Sequence, residues 1–254
     1  MFFVVLLLLF TANVVLATEV QCISDCTISD LVFGDTFSFP NAQCPQRVST
    51  SECTIRVTFN YQEQRYTVEL GKNRSNADFI YINSKPYLSY TINHYCSDQT
   101  ECVFKDLQKK IDQMVRRTYN TQDIYGQLAP SIKDSSRNDP LQCYDMKNEV
   151  VECSEKEICG LSYDQQKNEF RARGCDVGSE ARVFVYDADT YSALHIDCDR
   201  NLCNDEKTLA DVKNILVKSG LIGPDGRRVL SNGMKQFLSF PLFALTLILS
   251  FQLM

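Results

Sequence analysis

The sequence predicts a mainly β, disulfide-rich protein made of two tandem modules, each followed by an amphipathic helix. All twelve cysteines lie between Cys22 and Cys203, in two groups of six separated by the cysteine-free interval 103–142. An even number of cysteines behind a secretion signal indicates a set of disulfide bridges formed in an oxidising compartment. Segments in each group alternate apolar and polar residues, a pattern that is typical of half-buried β-strands.

The N-terminal segment has the composition of a secretory signal peptide. Residues 2–16 are mostly apolar and lead to Ala17, with Val15 two positions earlier, which is the small-residue pattern of a cleavage site. The run is short for a membrane span. We therefore predict a signal peptide at 1–17. Since no basic residue lies near Met1, an uncleaved anchor is the alternative.

The C-terminal segment has the features of a glycosylphosphatidylinositol (GPI) anchor signal. Residues 237–254 form an uncharged apolar tail, and small residues precede it. We predict a stalk at 221–233 with lipid attachment at Ser231 or Asn232, and a hydrophobic anchor signal at 234–254. No flanking Lys or Arg would orient a single-span helix, although a transmembrane tail remains the alternative. Either anchor places the protein on the extracellular face of the plasma membrane.

The first module, residues 18–125, is predicted to contain strands and one helix. TIRVTF at 54–59 and RYTVEL at 65–70 alternate on either side of a polar connection, which indicates a β-hairpin. Further strands are expected at 79–82 and 87–95. Apolar residues then recur at helical spacing from Leu107, which predicts an amphipathic helix whose basic residues form a solvated face.

One N-glycosylation acceptor lies in a polar loop of the first module. It is Asn73, in the triplet Asn-Arg-Ser. A glycan at this position is expected on a secreted chain.

The second module, residues 141–220, follows a predicted linker at 126–140 that is rich in Ser, Asp, Asn and Pro. Its segments VFVY and YSALHI flank a polar turn and predict a second hairpin. Asn204 and Asp205 are candidate N-caps for a helix over 208–220, with Gly220 at its end.

The two halves share short sequence features. SYTINHYC ends at Cys96 and TYSALHIDC ends at Cys198, each with a Tyr followed four residues later by a His. FIY precedes the first and FVY precedes the second. VQC at Cys22 corresponds to LQC at Cys143. Together these matches indicate a duplicated module.

Several function classes are disfavoured by what the sequence lacks. A net charge of -6 argues against nucleic acid as a partner, because phosphate binding needs clustered Lys and Arg. No nucleophile elbow or comparable catalytic signature occurs, so we predict no enzyme and no catalytic residue. His94 and His195, the only histidines, both lie just before a cysteine and are interpreted as packing residues.

Metal and cofactor binding are not expected either. The chain has no C-x-x-C pair, and an oxidising compartment converts thiols to disulfides. Asp197, Asp199 and Asn201 match the first ligand positions of a calcium loop, but the glycine and the final glutamate of that loop are missing. They are interpreted as a solvated acidic loop. No Gly-rich phosphate loop indicates a cofactor.

Residues 141–204 resemble the Ly6/uPAR family of three-finger domains. The resemblance lies in LQCY at the start, RGC at 173–175 and CDRNLCN at 198–204, and residues 20–102 share less of the pattern. It implies a disulfide-rich hub from which three β-fingers project. The bridges that it implies are Cys143–Cys159, Cys153–Cys175 and Cys198–Cys203 in the second module, and Cys22–Cys53, Cys26–Cys44 and Cys96–Cys102 in the first.

The resemblance implies a cell-surface binding protein. Its finger loops would contact an extracellular protein such as a receptor, channel, adhesion molecule or ligand, because loops on a rigid base lose little entropy on binding. The alternative is a structural surface protein that associates with itself through the helices. The oligomeric state and the partner stay open.

Overall fold

The computed structural model describes residues 19–35, 37, 44, 46–71, 77–83, 85–97, 102–134 and 140–229. The predicted signal peptide, the glycosylation acceptor Asn73, the anchor attachment at Ser231 or Asn232 and the tail 234–254 lie outside the described residues. The first half of the described chain comprises 19–134, and the second half comprises 140–229.

Both halves are built mainly from β-strands. The first half contains β1 (Val20–Ile23), β2 (Cys26–Val32), β3 (Arg47–Thr50), β4 (Cys53–Asn60), β5 (Arg65–Leu70), β6 (Ala77–Asn83), β7 (Leu88–Cys96), α1 (Cys102–Val115) and α2 (Thr121–Ile132). The second half contains β8 (Gln142–Tyr144), β9 (Val150–Glu152), β10 (Glu157–Asp164), β11 (Glu169–Val177), β12 (Arg182–Ala188), β13 (Tyr191–Cys198) and α3 (Glu206–Lys218).

One antiparallel sheet runs through both halves in the order β11-β10-β13-β12-β6-β7-β4-β5-β2. The two halves meet where β6 pairs with β12, and we call this pairing the seam. From the seam outward, the second half continues β13-β10-β11, and the first half continues β7-β4-β5 with β2 as an additional edge strand. The order of strands is therefore repeated on the two sides of the seam. The pairs β1-β3 and β8-β9 form separate two-stranded sheets.

The predicted hairpins are confirmed, and their side chains alternate as expected. β4 pairs with β5 and β12 pairs with β13, both antiparallel. In β4 the residues Ile55, Val57 and Phe59 are buried, while their neighbours are only partly covered. This alternation follows from the two-residue period of a strand, which sends successive side chains to opposite faces.

The helix α1 is confirmed, but a second helix replaces part of the predicted linker. The linker at 126–140 is wrong over its first residues, because α2 continues to Ile132. Ile124, Leu128 and Ile132 follow one another at four-residue spacing and are buried together, which gives this segment an apolar helical stripe. The strands of the first half are therefore followed by two helices rather than one.

The helix α3 spans Glu206–Lys218, two residues earlier in the chain than the predicted 208–220, and Asp205 is its N-cap. The Asp205 carboxylate accepts a hydrogen bond from the Thr208 backbone N–H and so caps the helix N-terminus. Gly220 follows the last turn with φ 69°, a left-handed conformation that glycine adopts without a steric penalty.

Five disulfide bonds join the cysteines in the pairs that the family resemblance implies. They are Cys22–Cys53, Cys26–Cys44, Cys143–Cys159, Cys153–Cys175 and Cys198–Cys203. Cys96 is also disulfide-bonded, and the side chain of its expected partner Cys102 lies outside the described residues.

The disulfides lie at corresponding ends of the two strand sets. Cys53 is the cross-strand neighbour of Cys96, as Cys159 is of Cys198. Those strand ends define a disulfide end in each half, and the hairpin turns lie at the opposite end.

Residues 221–229 pack against the protein, so the predicted stalk at 221–233 is wrong for this part, which we call the strap. Leu221 and Ile222 are fully buried, and Ile222 forms a β-bridge with Arg228. Arg228 in turn forms ion pairs with Asp78 and Asp187. Two buried apolar side chains and an arginine between two buried carboxylates tie the strap to the fold.

Candidate functional site

Five aromatic side chains form a patch that crosses the seam. Phe79 and Tyr81 come from β6, Phe184 and Tyr186 from β12, and Tyr191 from β13. All five are partly exposed. We call this group the aromatic patch.

The patch lies on the face of the sheet opposite α1. Along β12, Val183, Val185 and Asp187 are buried, and the residues between them face the other way. On the buried face, α1 covers the sheet, since the Tyr61 hydroxyl donates to the Met114 carbonyl at 3.1 Å. Positions on the outer face of such a sheet are usually polar. Here the seam carries aromatic residues instead.

The rings touch one another across the seam. The ring centroid of Phe79 lies 5.3 Å from those of both Phe184 and Tyr186, and Tyr186 lies 5.4 Å from Tyr191. In register, Tyr81 faces Phe184 and Phe79 faces Tyr186. These separations are those of favourable edge-to-face and tilted ring pairs, so the patch is a preformed surface of rigid side chains.

Polar groups surround the patch on the side of the first half. Thr91 is the register partner of Phe79, and its hydroxyl lies 3.1 Å from that of Thr58 on the next strand. Ser89, the partner of Tyr81, is buried, so the partly exposed hydroxyl groups on this side are those of Thr58 and Thr91. An apolar centre bordered by polar groups is the usual anatomy of a protein-binding surface.

Charged groups that are already paired border the patch on the side of the second half. The Arg171 guanidinium lies 4.1 Å from the centre of the Tyr191 ring and donates hydrogen bonds to Asp164. Arg182 forms an ion pair with the buried Asp197, whose other oxygen lies 2.8 Å from His195 Nε2. The border is thus locally neutral.

The Asp197 carboxyl has a lowered pKa. Burial alone would raise the pKa, but the hydrogen bond and charge of His195 and of Arg182 outweigh it. Asp176, His195 and Asp197 place potential metal ligands within 4.8 Å of one another. Since both oxygens of Asp197 already have partners, this arrangement serves as a hydrogen-bonded ion pair.

We expect this ion pair to make stability depend on acid pH. A depressed carboxyl pKa stabilises the fold above the unfolded value of about 3.9, and that contribution is lost as the pH falls through the lower folded value. Asp197→Asn should therefore reduce the loss of unfolding free energy between about pH 5 and pH 2 in urea titrations. Asp30→Asn, at an exposed pair with Arg65, is the control. An unchanged pH profile for Asp197→Asn would contradict this role.

The two histidines do not occupy equivalent places. His94 pairs in register with the buried Ile55, and its Nδ1 lies 3.1 Å from the Lys110 ammonium on α1. His195 pairs with Phe184 and lies on the face of the aromatic patch. His94 precedes its cysteine by two residues and His195 by three, and a one-residue offset moves a strand side chain to the opposite face.

The residues that resembled a calcium loop are turned toward separate partners. Asp199 accepts from the Asp134 backbone N–H at 2.9 Å, and Asn201 accepts from the Gln142 backbone N–H at 2.9 Å. Asp197 lies with Arg182. These residues join chain segments together and do not converge on one point.

Sequence reasoning did not single out the aromatic patch, although the signal was present. FIY at 79–81 and FVY at 184–186 match between the halves, and their aromatic residues form most of the patch. The match predicted a duplication, but whether the two segments lie side by side depends on a pairing between the halves that no local pattern shows.

Comparison with known proteins gives no family assignment, because no family model and no curated protein matches this chain. Among the described residues, no helix is both long and apolar enough to cross a membrane.

Proposed function

We propose that this protein is a GPI-anchored binding protein of the cell surface, built from two tandem Ly6/uPAR-like three-finger modules, which binds an extracellular protein partner. The single observation that carries the binding function is the aromatic patch. It is contiguous, partly exposed and rigid, and aromatic residues are enriched where protein interfaces concentrate their binding energy.

Two observations support the tandem modules. The strand order repeats on the two sides of the seam. Disulfides also recur at corresponding places, because Cys22–Cys53 ends at the strand position that Cys143–Cys159 reaches in the second half. One bridge differs between the halves. Cys26–Cys44 in the first half closes a loop, whereas Cys153–Cys175 in the second half ends in β11.

The place of the contact follows from the strap. The sequence led us to expect a contact through the finger loops. In the second half, however, Gly226 and Arg227 of the strap are hydrogen-bonded to the hairpin turns. We therefore assign the partner contact to the aromatic patch and its polar rim rather than to those turns.

Release from intact cells tests the anchor. We expect phosphatidylinositol-specific phospholipase C to release the full chain, tagged after Ala17, from the cell surface. A control in which Ser231, Asn232 and Gly233 are all changed to Gln should not be released, because attachment requires small residues. Retention of the natural chain on cells that release another GPI-anchored protein would favour the transmembrane alternative.

The oligomeric state of the released protein distinguishes a binding protein from a structural protein that associates with itself. In sedimentation velocity, we expect a monomer. An ordered oligomer would favour the alternative, a structural surface protein whose contacts are with copies of itself.

A further inference from the structure

The strap is hydrogen-bonded to the hairpin turns of the second half. We call the hairpin turns of each half its fingertips. The Gly226 carbonyl accepts a hydrogen bond from Gln165 Nε2 at 2.8 Å, and Gln165 begins the turn after β10. The Arg227 guanidinium donates to the carbonyls of Ala188 at 3.2 Å and Asp189 at 3.0 Å, where β12 ends. The last described part of the chain therefore crosses two adjacent hairpin turns.

Close packing around Gly226 restricts the backbone of the strap at this position. Gly226 is buried with φ 77°. A Cβ atom there would overlap the Gln165 side chain. A larger residue would be strained in this backbone conformation and would also displace the Gln165 side chain. The contact between the strap and the turn after β10 therefore depends on glycine at position 226.

Arg228 fixes the strap to the seam. Its backbone N–H donates to Asp187 at 3.1 Å, and its guanidinium lies between Asp187 and Asp78. The two aspartates are direct register partners in β12 and β6. The strap is therefore bound to both halves at once.

The fingers of the two halves point in opposite directions. β6 pairs antiparallel with β12, so that Ala77 faces Ala188 and Asn83 faces Arg182. Ala77 lies at the disulfide end of the first half, and Ala188 lies at the fingertips of the second. The strap thus leaves the fold at the end that combines the fingertips of the second half with the disulfide end of the first.

Resting on the proposed anchor, we propose that the strap sets the orientation of the protein on the membrane. The fingertips of the second half face the membrane, and the fingertips of the first half, at 61–64 and 85–87, point away from it. The outward fingertips are open to one kind of partner, a protein that approaches from outside the membrane. The aromatic patch, which lies on the side of the sheet between the two sets of fingertips, is open to the same partner.

The lengths involved support this orientation. Ser231 and Asn232 lie two and three positions after Val229, so the chain between Val229 and the attachment residue can span at most about 7–11 Å. A strand of eight residues such as β4 or β13 is about 26 Å long. The peptide between the strap and the attachment residue is short compared with the height of the sheet, so the glycan of the proposed anchor joins the protein at the end that carries the strap.

Energy transfer to the lipid surface tests the orientation. The GPI-linked full chain would be reconstituted into phosphatidylcholine vesicles that contain an acceptor-labelled phosphatidylethanolamine. A donor dye would be attached through an unnatural amino acid at Lys167, in the fingertips of the second half, or at Glu63, in the fingertips of the first half. Both positions are exposed. We expect severalfold higher transfer from position 167 than from position 63.

Equal or reversed transfer would overturn the orientation while leaving the anchor intact. A protein that does not enter the vesicles at all would refute the anchor, and the orientation with it. As a control, Gly226→Val combined with Arg228→Met should detach the strap from both the hairpin turns and the seam, and should reduce the difference between the two positions. A difference that persists in a folded double variant would contradict the role given to the strap.

Discussion

Replacing Arg228 with methionine is expected to lower the free energy of unfolding by about 3–5 kcal/mol. Asp78 and Asp187 are only 4% and 6% exposed, and Arg228 lies between them. Burial lowers the pKa of Arg228 to about 10, so the guanidinium is still charged at neutral pH. Without it, two carboxylates would remain buried next to each other with much of their charge uncompensated.

Urea denaturation at pH 7 measures this effect. The matched control is Arg65→Met, which removes an arginine from the exposed pair with Asp30 and should cost no more than about 1 kcal/mol. Combining Arg228→Met with Asp78→Asn and Asp187→Asn should recover part of the loss, because the buried charges are then removed as well. Equal stabilities for Arg228→Met and Arg65→Met would show that the ion pairs of Arg228 contribute nothing to the stability of the fold.

Removing a ring from the centre of the aromatic patch is expected to weaken partner binding at least about 30-fold, which corresponds to about 2 kcal/mol. Phe79→Ala and Tyr186→Ala each delete a side chain that contacts two others in the patch. Aromatic residues at the centre of an interface contribute most of its binding energy, whereas its rim contributes little. Affinity would be measured by surface plasmon resonance with the partner immobilised.

The controls for this prediction separate the patch from the fold. Tyr186→Phe keeps the ring and should bind nearly as well as the natural protein. Lys167→Ala changes a fingertip of the second half and should have no effect. If Lys167→Ala abolished binding and Tyr186→Ala did not, the fingertips would be the contact instead.

The parts of this fold that could be predicted are those that local sequence determines. Strict alternation in TIRVTF and RYTVEL specified a hairpin, and the apolar spacing from Leu107 specified α1. Asp205 and Gly220 marked the ends of α3. Each of these signals depends on neighbours in the chain, and each element formed close to where it was expected.

The parts that could not be predicted depend on distant contacts. Polar composition around Pro130 concealed the apolar stripe of α2. The short basic sequence of the strap suggested a stalk, because the carboxylates that Arg228 meets lie elsewhere in the chain, at Asp78 and Asp187. The seam likewise joins two segments whose pairing no local pattern specifies, so the aromatic patch became visible only with the sheet assembled.

Photo-crosslinking from the aromatic patch tests most directly whether this face binds a protein. The full chain would be displayed on cells with benzoylphenylalanine in place of Phe184, an aromatic position at the seam, or in place of Lys167, at the fingertips of the second half. We predict that irradiation links position 184, but not position 167, to an extracellular protein, and that Phe79→Ala abolishes the link. Crosslinks from position 167 together with none from position 184 would contradict the assignment of the binding surface.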